Sequence, residues 1–282
     1  MDMGLYGKTA LVTGSTKGIG KAIAIELAKE GVHLLINGRD HEEVERTVRE
    51  IKSAYPATSP QNAAADLTDR GQREALFQKY PHVDILVNNI GIYKIMQYGD
   101  IDDEVWNNYF RTNFLTADGL SRFYLPAMLK KNEGRIIFIA SEEAVMPSGL
   151  MPQYGVTKSM LLSLAKSLSK LTKGTEVTVN TLMPGPTLSE KVLQIIEGAY
   201  PEEELSFSEK EKRFMAANLP QSELQRFIKP MEIGRLAVFL CSPYSSAFKG
   251  SPIRMDGGWC RPFFKCVRRE ECRFRLGFEM FL

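Results

Sequence analysis

Tyr154 and Lys158 stand four residues apart, and residues at that spacing on a helix share a face. A phenol beside an ammonium makes a usable proton donor. The positive charge favours the phenolate and is expected to pull Tyr154 below its reference pKa of about 10. A second chemically loaded run lies near the start of the chain, Thr13-Gly14-Ser15-Thr16-Lys17-Gly18-Ile19-Gly20. Its glycines let the backbone turn tightly and approach a pyrophosphate, whose charge is favoured at the N-terminus of the following helix. A proton donor and a nucleotide cradle in one chain point to redox chemistry.

Such residues need a frame. Apolar runs rich in Val, Ile and Leu at 8–13, 32–37, 84–87, 135–140 and 176–182 predict strands. Near-continuous apolar strands suit a parallel sheet covered on both faces. Between them, residues 18–30, 41–54, 69–80, 103–130 and 153–173 carry apolar side chains at helical spacing. The alternation predicts an α/β fold, a doubly wound parallel sheet of Rossmann type in a single domain over 1–258. Residues 188–229 break the rhythm with amphipathic pieces at 191–197, 208–217 and 222–227. A long insertion at the carboxyl end of a strand is where a substrate lid belongs, the plain alternative being a surface excursion.

Composition narrows the class. At 44% hydrophobic and 25% charged, 282 residues suit one large globular domain. No apolar run approaches the roughly 18 residues a membrane span needs, and no secretory signal is visible, so a cytoplasmic enzyme is expected. Six of 36 Lys/Arg and three of 34 Asp/Glu fall in 259–282, which leaves 1–258 at 30 against 31, a net of −1. The basic pI belongs to the tail and gives no reason to expect nucleic-acid binding. Three of four cysteines (Cys260, Cys266, Cys272) are also there, at a spacing unlike a zinc site, and no metal is expected. Cys241 is read as a buried small hydrophobe.

The second strand ends in Asn37-Gly38-Arg39, where an NAD site usually presents a carboxylate to the ribose. Gly38 cannot supply one, whereas Arg39, aided by Lys17, can pair with a 2′-phosphate. NADP(H) is therefore preferred over NAD(H), although Asp40 tempers the local field.

The ordered set Thr13-Gly-x-x-x-Gly-x-Gly20, Asp66-Leu67, Asn88-Asn-Ile-Gly91, Asn113, Ser141, Tyr154-x-x-x-Lys158, Pro184-Gly185 and Asp256-Gly-Gly258 resembles the short-chain dehydrogenase/reductase family from about residue 5 to 258. That resemblance implies a catalytic set of Asn113, Ser141, Tyr154 and Lys158. Tyr154 would give a proton to the substrate oxygen as hydride arrives from the nicotinamide, and Ser141 would orient the carbonyl. Lys158 would lower the Tyr154 pKa and hold the nicotinamide ribose, while Asn113 would hold a water of a proton relay. Cofactor contacts would come from Gly14, Ser15, Lys17, Gly18, Ile19, Gly20, Arg39, Asp66, Leu67, Asn88, Gly91, Pro184, Gly185 and Thr187, with Ser189 able to serve as Thr187 does. It also implies a homodimer or homotetramer sharing the helices at 103–130 and 153–173, with a second contact near the C-terminus.

Three features depart from the family pattern. Ile90 replaces a usual Ala, and Glu142 and Glu143 follow Ser141 where small residues are common. Those carboxylates would face solvent or bias the site against anionic substrates. The segment 259–282 is unlike the body and is read as the product of an altered reading frame or an added end. The expected activity is NADP(H)-dependent interconversion of a carbonyl and a secondary alcohol on a small organic substrate. The rivals are a 3-oxoacyl-acyl-carrier-protein reductase, which needs a basic docking patch near Lys210, Lys212 and Arg213, and an NADP(H)-sensing protein without turnover.

Overall fold

Seven parallel strands form one sheet in the computed structural model: Thr9–Val12 (β1), His33–Ile36 (β2), Gln61–Asn62 (β3), Ile85–Asn88 (β4), Arg135–Ile139 (β5), Thr178–Pro184 (β6) and Pro252–Met255 (β7). Their order is β3-β2-β1-β4-β5-β6-β7. Every residue of β4, β5 and β6 is buried, as a parallel sheet covered on both faces requires. The strand order reverses between β1 and β4, which opens a crevice at their carboxyl ends. The structure describes residues 2–201 and 204–260. The expectations for Cys266, Cys272 and the rest of the tail beyond Cys260 lie outside the described residues.

One face of the sheet is covered by Gly18–Lys29 (α1), His41–Ala54 (α2) and a C-terminal helix, through Ile23, Leu27, Val44, Ile51, Ile233 and Leu240. Arg70–Lys79 (α3) covers the other face through Leu76, together with the two long helices that follow it. The expected helix over 103–130 is three pieces. Asp103–Tyr109 (α4) runs into a π-helical turn, Phe110–Leu115, and then into Thr116–Lys131 (α5). The Thr116 hydroxyl donates to the Arg111 carbonyl at 3.0 Å, bridging the widened turn. Such turns inside α-helices often mark functional positions, and this one contains Asn113. Pro152–Leu171 (α6) carries Tyr154 and Lys158.

The insertion folds as Glu190–Ala199 (α7) and Phe207–Asn218 (α8) around a small core of Ile196, Met215 and Phe227. The third expected helix, 222–227, does not form. Gln225 is left-handed at φ 52°, Leu224 N bonds the Gly257 carbonyl, and Ile228 pairs with Thr187. Local amphipathic spacing there is overridden by strand-like pairing to the end of β6. The last helix, Pro230–Cys241 (α9), packs on α1 and buries Cys241. No helix among the described residues is long and apolar enough to cross a membrane.

Close approach of α9 to α1 depends on Gly234, where a Cβ would come within 2.8 Å of the Ala22 carbonyl oxygen. Glycine to alanine inside a helix ordinarily gains about 1 kcal/mol. Gly234→Ala is expected to lose stability instead, by about 1–3 kcal/mol from overpacking. Denaturant unfolding checks this, and a more stable variant would contradict the packing described.

Candidate active site

The glycine-rich turn links β1 to α1. Gly14 and Gly18 adopt φ of 59° and 56°, which side chains disfavour. A Cβ at Gly20 would run into the Gly14 carbonyl oxygen, whereas one at Gly18 would meet open space. Lys17 caps α1 without any side-chain bond, and Lys21 N bonds the Lys17 carbonyl at 3.2 Å, which leaves the amides ahead of it available. Backbone donors, a helix N-terminus and an open space above Gly18 fit a pyrophosphate. Ile19 and Gly20 form the first turn of that helix.

Three polar residues that stand in the sequence motifs without an assigned role fix this turn. Asn89 donates from its side chain to the Thr13 and Gly14 carbonyls at 2.9 and 3.1 Å. The Thr13 hydroxyl accepts from Asn89 N and Ile90 N at 2.8 and 3.0 Å. Asn37 accepts from Gly14 N at 3.3 Å and donates to Ala63 and Ala65 carbonyls. Their signal in the sequence was a polar residue directly after an apolar strand. Ser15 is also fully buried, its hydroxyl accepting from Asn37 N at 2.9 Å, so this side chain braces the loop.

Beyond β2, a Cβ at Gly38 would lie 2.9 Å from Thr16 Cγ2 and 3.0 Å from Val44 Cγ2, so no carboxylate fits there without rearrangement. Asp40 is spent as the cap of α2, accepting from Glu42 N and Glu43 N. Arg39 and Lys17 are exposed. Asp66 is held below the usual carboxylate range. Burial works against this most strongly, but bonds from the Thr68 hydroxyl and amide and the charges of Arg39 and Arg111 outweigh it. Leu67 packs in the core, and its carbonyl accepts from Arg73 at 2.6 Å. Asn88 is buried and donates to Ser121 at 3.2 Å.

The expected catalytic residues converge at the carboxyl ends of β4 and β5. Lys158 is buried, its Nζ donating to the Ile139 carbonyl at 2.8 Å and lying 5.5 Å from the Tyr154 ring centroid. A Cβ at Gly91 would come within 3.1 Å of that Nζ and 3.5 Å of Asn113 Oδ1, so glycine leaves the space between them open. Asn113 accepts from Ile92 N at 2.8 Å and donates to the Ile92 carbonyl and Thr157 hydroxyl. Ser141 follows β5, its hydroxyl donating to Glu142 at 2.6 Å. Ile90 finds its room against the α5 side of the core, beside Gly14.

Burial pushes Lys158 down to about 8. Tyr154 departs from expectation. Burial chiefly, with the charges of Glu142 and Glu143 and the neighbouring Tyr93, raises its pKa above the ordinary value, and bonding to Ser141 only opposes this. The anticipated lowering by Lys158 is therefore corrected for the protein alone, in which the ammonium bonds a backbone carbonyl.

Below β6, Gly185 N bonds the Met255 carbonyl at 2.9 Å, and a Cβ on Gly185 would come within 2.7 Å of Asp256 Cα. Pro184 closes the strand, Thr187 donates to the Gly185 carbonyl, and Ser189 caps α7. A cavity of about 650 Å³ is lined by Met146, Pro220, Gln221 and Trp259. Trp259, set aside with the tail on composition, thus lines a cavity of the described structure.

A strand-order switch, a glycine turn and a half-buried Tyr154 beside the buried Lys158 define a Rossmann-type nicotinamide-dependent oxidoreductase. The family model for short chain dehydrogenase matches residues 8–198, and the chain belongs to that family, whose members act on CH–OH groups. It is 51% identical over 265 residues to the uncharacterized oxidoreductase YvaG of Bacillus subtilis, covering 94% of this chain and all of that one. It is 32% identical to D-beta-hydroxybutyrate dehydrogenase of Cupriavidus necator, over 90% of this chain and 98% of the other. L-sorbose reductase from Gluconobacter frateurii, solved with NADPH and L-sorbose, superposes with a TM-score of 0.85 at 29% identity, covering 93% of this chain and 100% of that one.

Lys158 allows a test of the site's energetic cost. Its pKa is lower folded than unfolded, so the penalty is full below pH about 8 and fades as pH rises toward the unfolded value. Lys158→Met is expected to unfold at higher temperature than wild type at neutral pH, by on the order of 1–3 kcal/mol, with the gap closing above that pH. Calorimetry across pH checks it. A less stable variant at neutral pH would contradict the buried-cation account.

Proposed function

We propose that the protein is an NADP(H)-preferring carbonyl reductase of small organic ketones, with Tyr154 as the general acid. The observation that carries this reading is the buried Lys158 ammonium beside Tyr154 and the bare Gly91, with Asn113 within reach. Bound NADPH supplies a hydride. Lys158 would release the Ile139 carbonyl to hold the nicotinamide ribose, and Asn113 would position a relay water. Hydride addition places two electrons on the carbonyl carbon, and the oxygen takes the Tyr154 proton to give a secondary alcohol.

A raised Tyr154 pKa suits this direction. The phenol stays protonated through neutral pH, and an alkoxide forming beside it is a far stronger base than phenolate. Alcohol oxidation would need the phenolate, which burial disfavours.

Selection for NADP(H) over NAD(H) is supported by the missing room at Gly38, the capping role of Asp40 and the exposed Arg39 and Lys17. Gly14, Ser15, Gly18, Ile19 and Gly20 would shape the pyrophosphate site. Asp66, Leu67, Asn88 and Gly91 would flank the adenosine side, and Pro184, Gly185 and Thr187 the nicotinamide. A cytoplasmic homodimer or homotetramer is part of the same reading, as are the lid role of 188–229 and the foreign origin of the tail. The acyl-carrier rival is disfavoured because Lys210 is buried and paired with Glu197 at 2.6 Å, so it is withdrawn from the docking patch. A sensor without turnover leaves the gathered catalytic groups unexplained.

Titration by nicotinamide fluorescence tests the cofactor preference. Wild type is expected to bind NADPH more tightly than NADH by about tenfold or more, and Arg39→Ala to lose that preference while keeping NADH affinity. Equal affinities in wild type would overturn the NADP(H) assignment.

A further inference from the structure

Ser141 is placed to orient the substrate carbonyl, but a hydroxyl carries one proton, and here it points at Glu142 Oε2, 2.6 Å away. The Ser141 oxygen meanwhile accepts from Glu143 N at 3.3 Å. While Glu142 is ionised it therefore competes with the substrate, and with Tyr154, for the one Ser141 proton. The neighbouring carboxylates are committed elsewhere. Glu143 accepts from Ser148 N, and Asp256 accepts from Gly258 N and Cys260 N. Glu142 differs because its named side-chain partner is the group proposed to touch substrate.

We propose that Glu142 is a positioning residue for Ser141 and a specificity determinant that favours uncharged carbonyl substrates over those bearing a carboxylate near the reacting carbon. This rests on the reductase reading above. A carbonyl oxygen oriented by Ser141 sits roughly 3 Å from its oxygen, which puts it within about 6 Å of the Glu142 carboxylate. At that range in a part-buried site, a second negative charge is strongly disfavoured. Met146, Pro220, Gln221 and Trp259, which line the cavity of about 650 Å³, carry no cation, and the Arg254 guanidinium is paired with Asp256 at 3.8 Å.

The groups facing Glu142 from each side are Glu143 on its own turn, Tyr154 on α6, and Asp256 and Cys260 beyond β7. Burial foremost, with Glu143 and Asp256 adding to it and the Ser141 hydroxyl opposing, pushes Glu142 up to about 7. Protonation reverses the bond, so that Glu142 donates to Ser141 and the Ser141 proton is freed for the carbonyl. An uncharged substrate hydroxyl that donates to Glu142 would free it in the same way.

The test uses ketone pairs differing in one charge, acetoacetate with acetoacetamide and pyruvate with pyruvamide. NADPH-dependent initial rates are measured for the full chain and for Glu142→Gln on both sides of neutral pH. Wild type is expected to favour each amide in kcat/KM by about tenfold or more, carried mainly by KM. It should also lose rate as pH rises through about 7. In Glu142→Gln the amide preference should collapse toward unity and that limb of the pH profile should disappear, while Glu142→Asp retains both. A merely structural Glu142 would slow both members of a pair alike. An unchanged ratio with turnover intact overturns this inference and leaves the reductase reading standing. Absence of turnover for every pair with both proteins overturns the reductase reading and this inference with it.

Discussion

Everything at the catalytic end of the sheet is arranged around one unfavourable choice, the burial of the Lys158 ammonium. A buried cation needs hydrogen-bond partners and space, and the neighbouring elements supply both. Strand β5 ends so that the Ile139 carbonyl meets Nζ. Position 91 carries no side chain, which keeps the ammonium and the Asn113 amide in one open space. Asn113 reaches that space from a π-helical turn, and both ends of its amide are fixed by Ile92. A straight helix over 103–130 would place that residue at a different angle. A local helical irregularity and a buried charge thus gather at the candidate catalytic residues, as expected when function opposes stability.

The cofactor side follows a different rule. There the cost is in backbone conformation, with Gly14 and Gly18 at positive φ and Gly20 pressed on the Gly14 carbonyl. Asn37, Thr13 and Asn89 tie the turn to the ends of β2 and β4 through partly buried hydrogen bonds. Preorganised amides suit an anion because the turn need not reorganise when charge arrives. Position 38 is crowded on the same side, a Cβ there lying 2.9 Å from Thr16 Cγ2, while the exposed Arg39 acts electrostatically on Asp66.

How much of this was legible follows from which forces are local. Strands β1, β2, β4, β5 and β6 and the helices between them showed themselves because parallel strands buried on both faces are mostly apolar. The edge strands β3 and β7 did not. The first is two polar residues long, and the second alternates between exposed and half-buried positions. The missing third helix of the insertion and the π turn depend on tertiary pairing to Thr187 and Gly257 or on a widened helical register, neither of which spacing reveals. The four residues expected to do the chemistry do meet, because the motif spacings track the strand ends. The Tyr154 titration direction was misjudged because a pairwise rule ignored burial, which the sequence does not display. Composition alone likewise hid that Trp259 lines a cavity with Met146, Pro220 and Gln221.

The central claim is that Tyr154 delivers a proton in a step that needs the cofactor but does not bind it. The most direct measurement is single-turnover oxidation of NADPH by a ketone in wild type and Tyr154→Phe, with NADPH affinity measured on the same samples by nicotinamide fluorescence. The account predicts that Tyr154→Phe holds NADPH about as tightly as wild type yet transfers hydride on the order of a hundredfold more slowly, or worse. Hydride transfer at the wild-type rate in Tyr154→Phe would contradict it.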